Sequence, residues 1–150
     1  MENLENKNPV DDDGTTPLHL AGKKGHLKIF RCIIKEIKPR NKKKRKKVKN
    51  PGDIHGQTPL HNAAEQGHLE ICRLIMAFLG KKKKNPRNNH GITPLHYAAQ
   101  NGHLKVCQLL LRNSSDKNPK DNNGLTAKTY ADKGGHLQIM NLFDKHLLNT

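Results

Sequence analysis

The stretch Thr93-Pro94-Leu95-His96-Tyr97-Ala98-Ala99-Gln100-Asn101-Gly102-His103-Leu104 occurs four times with changes; the other copies begin at Thr16, Thr58 and Thr126. Each copy keeps a Gly-His-Leu at one offset: Gly25-His26-Leu27, Gly67-His68-Leu69, Gly102-His103-Leu104 and Gly135-His136-Leu137. The starts are 42, 35 and 33 residues apart. A period in this range is the mark of an array in which each repeat is one small structural unit.

The phrase reads as a short helix. Thr16 is a suitable N-cap, since its hydroxyl can accept from a free amide of the first turn. Pro17 suits the next position, where its fixed φ is already helical and its missing N–H costs nothing. Gly25 falls where a chain leaving a helix turns left-handed. A second helix follows, with apolar residues Leu27, Phe30, Ile33, Ile34 and Ile37 in the first copy and Leu104, Val106, Cys107, Leu109, Leu110 and Leu111 in the third. That spacing is helical rather than alternating. Pro39 and Gly80 are expected to stop the first two of these helices. Ala21, Ala63, Ala98 and Ala131 share a register position at which small side chains let helices approach. One copy has too little apolar surface to fold alone, whereas stacked copies share a continuous core.

The phrases at 16–27, 58–69 and 93–104 resemble the ankyrin repeat, whose signature is Thr-Pro-Leu-His-x-Ala-Ala followed by Gly-His. A second recurring element agrees: Lys-Asn-Pro at 7–9, 49–51, 84–86 and 117–119, followed at one distance by Gly14, Gly56, Gly91 and Gly124. The resemblance implies an all-α solenoid of helix-turn-helix pairs with projecting β-turn fingers. The expected division is a flexible lead at 1–6 and one domain at 7–150, with repeats at about 7–38, 49–80, 84–113 and 117–148 and a basic insertion at 39–49. The fourth copy reads Thr126-Ala127-Lys128-Thr129, with lysine for leucine and threonine for histidine, and Asp132 replaces the second alanine. A terminal repeat has one face in water and needs a polar outer surface, so this copy is read as a C-terminal cap.

The resemblance also implies a function: a non-catalytic module that binds a protein partner through its concave face of fingers and first helices. Transferred position by position, the finger candidates are Asp12, Asp13, Ile54, His55, Asn89, His90, Asn122 and Asn123, with Gln57, Ile92 and Leu125 after the glycines. The helix candidates are Lys23, Lys24, Glu65, Gln66, Tyr97, Gln100, Asn101 and Lys133. Tyr97 is the best single anchor, because tyrosine is enriched at interface hot spots.

Charge is concentrated in two segments. Nine cations lie between Lys38 and Lys49 and five between Lys81 and Arg87, half of the 28 in the chain. Without them the formal charge of +15 falls to +1. The run Lys42, Lys43, Lys44, Arg45, Lys46 and Lys47 repels itself in any ordered packing and is expected to be exposed and mobile. With Lys81, Lys82, Lys83 and Lys84 it has three readings. It is a nuclear import signal read by an import receptor, a site for polyanions such as nucleic acid, or a solvated loop without a partner. The few aromatics disfavour single-strand recognition by stacking.

Ten histidines invite a metal or catalytic reading, but seven sit at repeated positions: His19, His61, His96, His26, His68, His103 and His136. Repeated structure explains them, and in the family such imidazoles bond backbone groups within and between repeats. No Cys-x-x-Cys or His-Glu-x-x-His occurs, Gly22-Lys23-Lys24 lacks the rest of a phosphate loop, and Asp11–13 lack the downstream glutamate of a calcium loop. No catalytic residue, metal, cofactor or small-molecule substrate is expected. Cys32, Cys72 and Cys107 all occupy second helices and are expected to be buried, reduced thiols. With no opening apolar run, the protein is expected inside the cell, in cytoplasm or nucleus. The sequon Asn113-Ser114-Ser115 is then coincidental.

Overall fold

The structure is a computed structural model that describes residues 9–37, 52–79 and 85–148. The lead at 1–6, the stops at Pro39 and Gly80, and the basic runs at 42–47 and 81–84 lie outside the described residues. The described residues form eight helices in four pairs: α1 (Pro17–Lys24) with α2 (Leu27–Ile37), α3 (Pro59–Glu65) with α4 (Leu69–Leu79), α5 (Pro94–Gln100) with α6 (Leu104–Asn113), and α7 (Ala127–Lys133) with α8 (Leu137–Leu148). First helices pack on first helices and second on second along the array, α1 on α3, α3 on α5, α5 on α7, and α2 on α4, α4 on α6, α6 on α8. This is the all-α helix-turn-helix solenoid.

Each first helix begins as its residues dictate. Thr16, Thr58, Thr93 and Thr126 have extended φ and ψ, and the Thr16 and Thr126 hydroxyls accept from the amides of His19 and Thr129. In the first three repeats the histidine closes a reciprocal box: Nδ1 of His19, His61 and His96 accepts the N–H of Thr16, Thr58 and Thr93 at 3.0, 3.1 and 3.1 Å. That fixes the ring proton on Nε2, since a nitrogen that accepts an amide cannot carry one. Nε2 then donates across the repeat boundary, from His19 to the carbonyl of Gln57 at 2.9 Å, His61 to Ile92 at 3.0 Å and His96 to Leu125 at 3.2 Å.

The second repeated histidine ties the repeats at the other end of the first helix. His68, His103 and His136 donate back to the carbonyls of Lys23, Glu65 and Gln100 at 3.3, 2.9 and 3.0 Å. Their rings rest on the left-handed glycines of the preceding repeat: a Cβ on Gly67 would lie 2.6 Å from the His103 ring.

The core runs the length of the array. Leu18, Leu60 and Leu95 are buried at one register, and Ala21, Ala63, Ala98 and Ala131 at another. Phe30, Cys72 and Cys107 share a third. Burial pushes the Cys72 and Cys107 thiols up to about 12, so both stay protonated and act as small apolar groups. Cys32 corrects the expectation of three buried thiols. It is exposed, two residues past Phe30 on a different side of α2.

The fourth repeat departs from the other three on its outer side. Lys128 stands at the register of Leu18, Leu60 and Leu95, and Asp144 at that of Ile34, Met76 and Leu111. The two side chains form an ion pair with each other, and both reach solvent. Two apolar positions that would meet a further repeat have thus become one polar pair. Ala127, Ala131, Ile139 and Phe143 keep the inner side of the same repeat buried.

Candidate protein-binding face

The fingers are held rigidly from below. Asp11, Asp53, Asn88 and Asp121 share a register, and one Oδ1 of each accepts two backbone amides, those of Asp13 and Thr15, His55 and Gln57, His90 and Ile92, and Asn123 and Leu125. Carboxylate or carboxamide oxygen serves equally, because only an acceptor is needed. Burial raises the Asp121 carboxyl, but the amides of Leu125 and Asn123 and the Tyr130 hydroxyl, which donates at 2.8 Å, pull it below its ordinary value. Burial and the same contact push Tyr130 up to about 12.

Successive fingers are also zipped to each other. The amides of Ile54, Asn89 and Asn122 donate to the carbonyls of Asp13, His55 and His90 at 2.9, 3.0 and 2.9 Å. The Asn89 and Asn122 side chains add a second rung, donating to the Ile54 and Asn89 carbonyls at 2.9 and 3.0 Å. Arg87 reaches forward to the Lys120 carbonyl at 2.6 Å.

This geometry sorts the sequence-derived candidates. Asp12, Asp13, Ile54, His55, His90 and Asn123 on the fingers, and Lys23, Lys24, Gln66, Gln100 and Lys133 at the ends of first helices, are exposed. Asn89 and Asn122 are exposed too, but their side-chain amides are engaged in the finger ladder, so their first role is structural. Asn101 caps its own helix through the Tyr97 carbonyl at 2.9 Å. Glu65, Ile92 and Leu125 are half-buried, and their carbonyls are the ones the histidines take. Tyr97 is half-buried as well. Its hydroxyl receives the Gln57 amide at 2.6 Å, and its ring meets His61 edge-on at 6.1 Å. Tyr97 therefore braces finger against helix. The Gln57 side chain keeps its own Oε1 buried without a partner among the described residues.

The anchor reading takes Tyr97 from a register that Leu20 shares and passes over Leu20. Leu20 precedes Asn62, Tyr97 and Tyr130 in the same register and is 55% exposed, as is Ile54 on the next finger. The repeating pattern marks it as an apolar residue at a position otherwise filled by polar or amphipathic side chains.

A model of ankyrin repeats matches the chain in three overlapping copies, over residues 2–84, 42–121 and 76–147. The chain belongs to the ankyrin-repeat family. A comparison with curated proteins gave no match. Ankyrin repeats are in general protein–protein interaction modules. Among the described residues no group of three or more His, Cys, Asp or Glu could hold a metal ion, and no helix is long and apolar enough to cross a membrane.

Proposed function

We propose that this ankyrin-repeat chain is a non-catalytic adaptor that grips a protein partner through its fingers and first helices. The observation that carries the reading is the pair Leu20 and Ile54, each 55% exposed on a face whose backbone is locked by the histidine and finger bonds. Large apolar side chains on a pre-organised frame lose little freedom on binding, which favours affinity. The polar candidates around them, Asp12, Asp13, His55, His90 and Lys23, supply a rim. The import-receptor and polyanion readings of residues 42–47 and 81–84 remain separate proposals. The buried, unpaired Cys72 and Cys107 support placing the protein in a reducing compartment, cytoplasm or nucleus.

Site-specific photocrosslinking tests the reading. A benzophenone amino acid is introduced at Leu20, at Ile54, or at Lys105 on the opposite side of the array, in cells that express the intact chain. Defined protein adducts are expected from the first two positions and not from Lys105. Adducts of equal yield from all three, or from Lys105 alone, would remove the fingers and first helices as the binding face.

A further inference from the structure

We propose a second docking surface, on the upstream face of α2, that takes an acidic amphipathic helix of a partner protein. It is distinct from the face of fingers and first helices. The register comparison carries it. Ile71, Val106 and Ile139 occupy one position in α4, α6 and α8, and each is 1% exposed because the preceding second helix lies against it. Ile29 holds that position in α2 and is 53% exposed. Ile33 is half-buried where Ile75, Leu110 and Phe143 are buried, and Cys32 is exposed where Leu74, Leu109 and Leu142 are half-buried. His26 shows the same gap: its counterparts reach back to a preceding carbonyl, whereas it is exposed and bonds no carbonyl of the described residues. Repeat one thus keeps the apolar seam of an internal repeat. The far end does not, since Lys128 and Asp144 replace the seam there.

Charge identifies the occupant. Lys28, Arg31 and Lys35 follow one another at helical spacing beside the Ile29–Cys32–Ile33 row, and all three are exposed. No other second helix has such a row: the equivalents are Glu70, Arg73 and Ala77, then Lys105, Gln108 and Arg112, then Gln138, Asn141 and Lys145. Glu36, the one acid of α2, closes the Ile29–Cys32–Ile33 row at its C-terminal end, so three cations flank the row against one carboxylate. A helix with a leucine stripe flanked by glutamates covers Ile29 and Ile33 and sets its acids against the three cations. A second copy of this chain fits worse, because its own α2 would bring cations against cations and its far end offers an ion pair.

The probe is an 18-residue fluorescent peptide with leucines on one helical face and glutamates flanking them, tested beside a version with lysines for glutamates. Binding to the intact chain is read by anisotropy at physiological salt and located by amide NMR shifts. The acidic peptide is expected to bind and to shift residues 28–36. Ile29→Glu should weaken it about tenfold or more, the worth of one buried isoleucine, and Lys28→Gln/Arg31→Gln/Lys35→Gln should weaken it as well. Replacing residues 42–47 by glutamine should leave the shifts at 28–36 in place. Because Ile29 is exposed, its variant is expected to melt like the parent, and the melt is checked. Absence of binding, binding that Ile29→Glu leaves unchanged, or equal binding of the lysine peptide would overturn the proposal. Shifts confined to Leu20, Ile54 and Tyr97 would overturn it too while leaving the finger face in play. Sedimentation showing a dimer that Ile29→Glu dissolves would assign the face to a second copy instead.

Discussion

At the scale of single residues, the histidines of the Thr-Pro-Leu-His phrase make the most specific contribution, because each serves both ends of its ring. His61 accepts from Thr58 through Nδ1 and donates to the Ile92 carbonyl through Nε2. Protonation would turn Nδ1 into a donor facing a donor. Burial is the largest influence and holds His61 down at about 4; the Ile92 bond and Asp53 pull upward but are outweighed, and His19 and His96 add a little in the downward direction. Burial lowers His96 as well, against the upward pull of the Leu125 carbonyl and Asp121. The folded-state value of His61 lies below the ordinary 6.5 of the unfolded chain. Stability is therefore complete above about 6.5 and is lost as pH falls toward 4, by on the order of 3 kcal/mol for His61 alone. Urea unfolding between pH 7.5 and 4.5 should show this decline, and the His61 ring should stay neutral by NMR at pH 5.5. A ring that titrates near 6.5 would mean the inter-repeat bond does not shield it.

At the scale of elements, the helix–turn–helix pairs are joined by glycines that bear two separate demands. Gly67 and Gly135 share φ near +74° and +73°. A Cβ on Gly67 would strike the His103 ring, while a Cβ on Gly135 would meet nothing within 4 Å. Alanine at either position incurs the left-handed strain of about 1–2 kcal/mol. Only at Gly67 must a neighbouring repeat also move, and with it the His103–Glu65 bond at 2.9 Å. Gly67→Ala should therefore lower the melting temperature more than Gly135→Ala, and the difference measures the repeat junction rather than the turn. Equal losses would show that the junction yields freely. The positions of these turns were legible in the sequence, since Thr16, Pro17, Gly25 and their counterparts act locally and recur. The roles of Asn89, Asn122 and Tyr97 were not, because they depend on which carbonyl or amide the neighbouring finger brings near. Ile29 was illegible for the same reason: its exposure reflects what lies beside α2, which no local pattern records.

At the scale of the whole molecule, charge and framework separate. The histidine and finger bonds join Asp13, His19 and Lys23 of the first repeat directly to Ile54, Gln57 and His68 of the second. Closure of a longer or shorter connection changes stability only slowly with length, by about 0.6 kcal/mol per doubling. Replacing Lys42, Lys43, Lys44, Arg45, Lys46, Lys47 and Lys81, Lys82, Lys83, Lys84 by glutamine takes the formal charge from +15 to +5. The melting curve and helical circular dichroism of that variant should match those of the parent. A DNA duplex separates the remaining readings of these segments. If they hold phosphates, the intact chain loses about a thousandfold in affinity between 50 and 200 mM salt for some six contacts, and the variant binds no duplex at either concentration. Because we assign the binding role to the fingers and first helices, the expected result is no measurable duplex affinity for either chain at 200 mM salt. Tight binding there by the parent alone would move nucleic acid ahead of a protein partner. Binding retained by the variant would trace to framework cations, of which Lys28, Arg31 and Lys35 form an exposed row among the described residues.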